Sequence, residues 1–144
     1  MEKSIYFLQK PATVSIETFR DSLLNKLVPH LQSLGASQLT INIADLNPSI
    51  QEQAPSRLIG PWQRLSAVVS FWNDCLDQRA PLEASLADIS DTIIGYLVTE
   101  SVPQVFDPVW EGGQRRPGVT QFGANGKPQD VSDEAFYHNW QVLH

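Results

Sequence analysis

Apolar residues follow two different periods along the first hundred positions of the chain. Alternation with a period of two is typical of a half-buried strand, whereas spacings of three and four are typical of a helix with one apolar face. On this basis strands are predicted at residues 4–9, 38–43, 65–72 and 92–100. Two helices are predicted between them, with apolar stripes at Ile16, Phe19, Leu23, Leu27, Leu31 and Leu34, and at Leu82, Leu86 and Ile89.

The boundaries of the helices are marked by proline and glycine. Pro81 fits the first turn of the second helix. Pro29 falls inside the first helix, which predicts a kink or an early end near Val28, and Gly35 is the expected C-cap. A polar loop containing several prolines is predicted from Asn47 to Pro61.

The order βαββαβ predicts an α+β, ferredoxin-like domain, with a four-stranded antiparallel sheet and both helices on one face. In the third strand both faces carry apolar residues, because Ala67, Val69 and Phe71 alternate with Val68 and Trp72. The sheet face without helices therefore needs a second sheet against it. Such a pair would form an α/β-barrel, with an interior cavity as the expected ligand site.

A pattern near the N-terminus recurs near the end of the chain. The pattern K-P-x-x-V-S-x-E-x-F occupies residues 10–19 and again 127–136, an offset of 127 − 10 = 117. Both copies have a proline that ends a strand, a serine that caps a helix, and an acidic residue in the first turn. We therefore expect a first domain at residues 1–102, a linker at 103–117, and the first strand and helix of an incomplete second repeat at 118–144, continued in the natural protein by a full second domain.

The second copy leads into a helix with Phe136, Trp140 and His144 at spacings of four. This run resembles the first helix of the EthD-type branch of the dimeric α/β-barrel superfamily. The first copy keeps Phe19 but has leucine at the two corresponding later positions. The resemblance implies small hydrophobic or aromatic ligands, and relatives that include monooxygenases, isomerases, decarboxylases and haem-binding proteins.

Six residues are candidates for the site. His144 is the candidate catalytic acid or base, since histidine titrates near neutral pH; its alternative role is packing or capping a helix. The candidate ligand-binding residues are all aromatic, and aromatic walls suit flat ligands. They are Tyr6, Phe71, Trp72, Phe136 and Trp140. Tyr6 and Trp72 would alternatively fill the core of a sheet-to-sheet interface.

Composition and charge restrict the possible partners. The formal net charge of −6 argues against binding to nucleic acid or to an anionic membrane. The single cysteine, Cys75, excludes an intrachain disulfide and fits a reducing cytoplasm. His138 and His144 are six residues apart and so point in different directions from one helix, so no metal site is predicted.

Three functions remain open from the sequence. The first is a barrel that binds a small hydrophobic or aromatic molecule, as a homodimer or through pairing with a second repeat, with a possible cofactor-free isomerase, lyase or monooxygenase activity. The second is a non-enzymatic binding or oligomerisation module of the same fold. The third is haem binding, for which one axial histidine would suffice.

Overall fold

The computed structural model describes residues 1–44, 65–100, 102, 109–116, 120 and 126–143 of the chain. The chain divides into two compact units, Met1–Phe106 and Asp107–His144, which are described in turn. The predicted loop from Asn47 to Pro61, and most of the strand expected near residue 120, lie outside the described residues.

The first unit contains the predicted βαββαβ order. Its strands are β1 (Glu2–Gln9), β2 (Ser37–Ile43), β3 (Ala67–Asn73) and β4 (Thr92–Val98). Its helices are α1 (Ile16–Ser22), a π-helical segment (Leu23–Leu27), α2 (Val28–Ser33), a 3-10 turn (Leu76–Gln78) and α3 (Ala80–Ala87). The last strand ends at Val98, two residues before the predicted end.

The four strands form one sheet in the order β2-β3-β1-β4, and every neighbouring pair is antiparallel. The two central strands, β1 and β3, are thus separated in sequence by a helix and a strand, as the split arrangement requires. The predicted α+β, ferredoxin-like fold is confirmed by this order.

The first helical stretch stays helical across Pro29, contrary to an early end at Val28. The Val28 N–H donates to the Leu23 carbonyl five residues earlier, which is the wider π-helical hydrogen bond. The wider turn also explains the apolar stripe. Spacings of four drift by about 40° per step around an α-helix, and a turn with more residues reverses part of that drift. The four residues spaced in this way are all buried: Phe19, Leu23, Leu27 and Leu31.

The stretch ends as predicted at Gly35, whose φ of +94° lies in the left-handed region that favours glycine. The Ala36 N–H donates to the Leu31 carbonyl at 3.0 Å and so satisfies a carbonyl at the end of the helix. Leu34, the last residue of the predicted stripe, is 39% exposed.

The hydrophobic core lies between one sheet face and the helices. The helices contribute Phe19, Leu23, Leu27, Leu31, Leu82 and Leu86, and the strands contribute Tyr6, Leu8, Ala67, Val69 and Phe71. Each strand residue in this cluster belongs to the same face of the sheet by its register. All core helices of the first unit therefore lie on one side.

The second unit contains helix α4 (Asp133–Leu143). The two copies of the repeated sequence pattern adopt the same local structure, with four equivalent hydrogen bonds at the same offset. In the first copy they are Val14 N to Pro11 O (3.1 Å), Thr18 N to Ser15 Oγ (3.2 Å), Phe19 N to Ser15 O (3.0 Å) and Lys10 Nζ to Val14 O. In the second they are Val131 N to Pro128 O (3.3 Å), Ala135 N to Ser132 Oγ (3.1 Å), Phe136 N to Ser132 O (2.9 Å) and Lys127 Nζ to Val131 O (2.7 Å).

Candidate functional site

The sheet of the first unit has a second face, opposite the helices, which we call the far face. Alternation along the paired strands assigns its residues. They are Lys3, Ile5 and Phe7 of β1, Val68, Ser70 and Trp72 of β3, Thr40 and Asn42 of β2, and Ile94, Tyr96 and Val98 of β4. Within residues 1–44 and 65–100, the helices contribute side chains only to the core on the other face.

Aromatic rings lie across the far face. The rings of Phe7 and Tyr96 meet edge to face, with centroids 5.7 Å apart and an interplanar angle of 88°. Tyr96 is 53% exposed, whereas Val68, nearer the middle of the sheet, is only 6% exposed. The far face is thus largely apolar, with the Tyr96 ring exposed towards the β4 edge and Val68 buried.

A charged pair stands at one end of this apolar surface. Lys3 and Trp72 are directly opposite each other on β1 and β3, and the Lys3 ammonium lies 5.7 Å from the centroid of the Trp72 ring, a cation–π distance. The same ammonium donates to the Glu100 carboxylate. The Lys3 side chain is 16% exposed and that of Glu100 34%. The far face therefore combines aromatic rings with one neutralised lysine.

Two of the residues predicted to line the ligand site lie on the other face. Tyr6 and Phe71 are 2% and 0% exposed, and their rings stack in the core with centroids 5.5 Å apart. They cannot line a cavity formed on the far face. Trp72, the third candidate of the first unit, does lie on the far face.

Tyr6 is the polar residue of that core. Its hydroxyl donates to Glu83 Oε1 on α3 at 3.1 Å, and Arg79 Nε lies 3.4 Å from the same carboxylate oxygen. Burial, followed by the negative charge of Glu83, raises the pKa of Tyr6 from 10.0 to about 12. The hydroxyl thus remains protonated and joins the sheet to α3.

The remaining candidates belong to the second unit. Phe136 and Trp140 lie four residues apart on α4, and Phe136 meets Tyr137 edge to face at 5.6 Å. His144, the predicted acid or base, lies outside the described residues. Its catalytic role stays a prediction.

A groove of about 230 Å³ on the helix side is lined by Lys26, Leu27, His30, Ser85, Asp88 and Ile89. Its charged residues are exposed, which is typical of a solvated surface groove. Among the described residues, no group of three or more His, Cys, Asp or Glu side chains could hold a metal ion.

Sequence reasoning did not identify Lys3 and Glu100 as site residues. The alternation along β1 places Lys3 on the same face as Ile5 and Phe7, and a lysine in an apolar row was the available signal. Glu100 is 97 residues away in sequence and follows the end of β4, so its contact with Lys3 depended on the strand pairing.

Comparison with known proteins finds matches among solved structures alone. No protein-family model matches the chain, and no curated protein matches it. The At3g17210 protein of Arabidopsis thaliana has 10% identity and a TM-score of 0.45, over 73% of this chain and 100% of that one. A hydroxynitrile lyase from Passiflora edulis has 14% identity and a TM-score of 0.43, over 71% of this chain and 96% of that one.

Likenesses of this size say nothing about function, and the fold assignment rests on the strand order and the placement of the helices. The narrower EthD relationship stays a prediction from the sequence. Within the described residues, no helix combines the length and apolar character needed to cross a membrane.

Proposed function

We propose that the first unit binds a small, flat, hydrophobic or aromatic compound on its far face, and that a second copy of the chain supplies the opposite wall. The observation that carries this proposal is the set of rings of Phe7, Trp72 and Tyr96 on one sheet face, away from all core helices of the unit. Aromatic walls with a few polar groups are the usual lining of small-molecule sites.

A second copy fits this face in extent and in charge. From a strand spacing of about 4.8 Å and a rise of about 3.3 Å per residue, four strands of seven or eight residues give a surface of roughly 19 Å by 23 Å. A two-fold axis would place an identical surface against it. The chain carries a net charge of −6, yet the ionic groups at this face, Lys3 and Glu100, neutralise each other. Repulsion between the copies is therefore small at the contact.

The side chains of the far face differ enough in size to leave space between two sheets. Packed sheets lie about 10 Å apart, a distance that large side chains fill from both sides. Ser70, Thr40 and Asn42 are short side chains beside the large Trp72. A recess at these short residues, with Trp72 as its wall, is the proposed ligand space.

The enzymatic form of this proposal is a cofactor-free isomerase, lyase or monooxygenase reaction, for which His144 stays the acid or base predicted from the sequence. The support for this role is the resemblance of the second occurrence of the repeated sequence pattern, with Phe136, Trp140 and His144, to the EthD-type helix. The second candidate is association through the far face without a ligand, and the exposed ring of Tyr96 favours it equally. A reducing cytoplasm, consistent with the single Cys75, is the proposed location.

The experiment compares two neighbouring residues of β4 that lie on opposite faces. Tyr96 is 53% exposed on the far face, and Leu97 is 55% exposed on the other face. We expect the wild-type chain, of 16.1 kDa, to sediment as a dimer and to bind 2-naphthol by calorimetry. Y96E is expected to sediment as a monomer without measurable naphthol binding, because a carboxylate in the interface loses its water.

L97E is the matched control, since it adds the same charge at the next residue on the same strand. It is expected to remain a dimer and to bind 2-naphthol as the wild type does. A wild-type monomer, or a dimer that L97E disrupts and Y96E does not, would overturn the proposed assembly. A wild-type dimer that binds no naphthol would leave association as the function.

A further inference from the structure

We infer that Lys3 and Trp72 form an anchoring subsite for a planar aromatic ligand that carries a carboxylate. This inference rests on the proposed function, because it specifies the ligand of the same far face. Lys3 lies on a central strand, with its ammonium 5.7 Å from the centroid of the Trp72 ring. A cation and a flat ring side by side match the two parts of an aromatic acid.

The position of Lys3 is costly for a residue with no function. Its side chain is 16% exposed in an otherwise apolar row, and lysine is seldom buried to this extent unless it is paired. A hydrophobic residue at this position would fill the sheet face without the cost of removing a charge from water. Lys3 thus places a cation beside the Trp72 ring in this row, with Glu100 as its counter-ion.

The ammonium of Lys3 has donors left for a ligand. It has three N–H donors. Within the described residues, the Glu100 carboxylate accepts from it, and no second acceptor lies within hydrogen-bond distance. Glu100 follows the end of β4, and its side chain is 34% exposed, so this carboxylate can turn into solvent. We therefore assign Glu100 as the counter-ion that a ligand carboxylate displaces.

The test uses two compounds of nearly the same shape, 2-naphthoate and 2-naphthamide, which differ in charge. Calorimetry on the wild-type dimer is expected to show about tenfold tighter binding of naphthoate, the size expected of a charge-assisted hydrogen bond. In K3Q both compounds are expected to bind alike, while the affinity for naphthamide changes by less than about twofold. K26Q, which removes an exposed lysine from the helix side, is the control and should keep the preference.

A second variant distinguishes a change in the subsite from damage to the fold. E100Q removes the competing carboxylate and is expected to bind naphthoate more tightly than the wild type, with naphthamide binding unchanged. A damaged fold would weaken both compounds instead. Equal binding of the two compounds by the wild type, a preference that survives in K3Q, or weaker naphthoate binding in E100Q would overturn the subsite alone. Binding of neither compound would overturn the proposed function and the subsite with it.

Discussion

The side chain of Tyr6 is buried beneath α3, and its hydroxyl donates a hydrogen bond to Glu83. Burial opposes the formation of a tyrosinate there, and the carboxylate of Glu83 opposes it further. The pKa of about 12 means that the folded protein holds this proton through a range in which an unfolded chain releases it. At the residue scale, the buried Tyr6 hydroxyl thus makes the free energy of unfolding depend on pH in the alkaline range.

The first prediction follows from the sign of that difference. Below pH 10 both states carry the Tyr6 proton, and between about pH 10 and 12 only the folded state does, so stability falls as pH rises through this range. Urea unfolding followed by circular dichroism should show that the wild type loses about 2 kcal/mol more than Y6F between pH 9 and 12. Y96F, at an exposed tyrosine, should follow the wild type. Parallel curves for wild type and Y6F would contradict the link.

At the scale of elements, β4 packs against β1 where Gly95 lies opposite Tyr6. A Cβ atom at position 95 would lie 2.5 Å from Tyr6 Cε1 and 2.9 Å from its Cδ1. The ring has little freedom to withdraw, because it stacks on Phe71 and its hydroxyl is held by Glu83. The close contact between β4 and the Tyr6 ring therefore requires glycine at position 95.

The second prediction is that G95A lowers the free energy of unfolding by about 1–3 kcal/mol, the usual cost of overpacking a core. G112A is the control, since a Cβ there meets nothing within 4 Å. The cost of G95A should shrink by about 1 kcal/mol or more in a Y6A background, which removes the opposing ring. Urea midpoints of the four variants measure this, and a G95A effect no larger than that of G112A would contradict the packing.

The strands and helices could be predicted from the sequence, because apolar residues recur along each of them at the spacing typical of that element. The strand alternation correctly separated Phe71 from Trp72 onto opposite faces, but it could not decide which face the helices cover, since both carry large apolar residues. For this reason Tyr6 and Phe71 were both predicted to line the ligand site, whereas both lie in the core beneath the helices. The π-helical segment at Leu23–Leu27 could not be predicted from the sequence either. A proline such as Pro29 is compatible both with the end of a helix and with a widened turn before it.

At the scale of the whole molecule, the strand order brings together residues that are distant in sequence. Lys3 and Glu100 meet because β1 and β4 are neighbours, although the two strands are the first and the last of the unit. The proposal of a partner surface comes from the sequence, which predicts two helices for a sheet with two apolar faces. The ion pair of Lys3 and Glu100 could not be predicted from the sequence, because it depends on which strands pair.

The proposed cavity between two copies would connect ligand binding to assembly, and this gives the last prediction. A compound held between two far faces binds the dimer and not the monomer, so it stabilises the dimer by mass action, by about 2.7 kcal/mol at a hundredfold excess over its dissociation constant. Sedimentation of a dilution series with 2-naphthol at that excess should show dimer dissociation weakened about a hundredfold. L97E should respond equally, because its charge lies on the other face. A ligand that binds without shifting dissociation would instead occupy a site within one copy, since only a site shared by two copies couples the two equilibria.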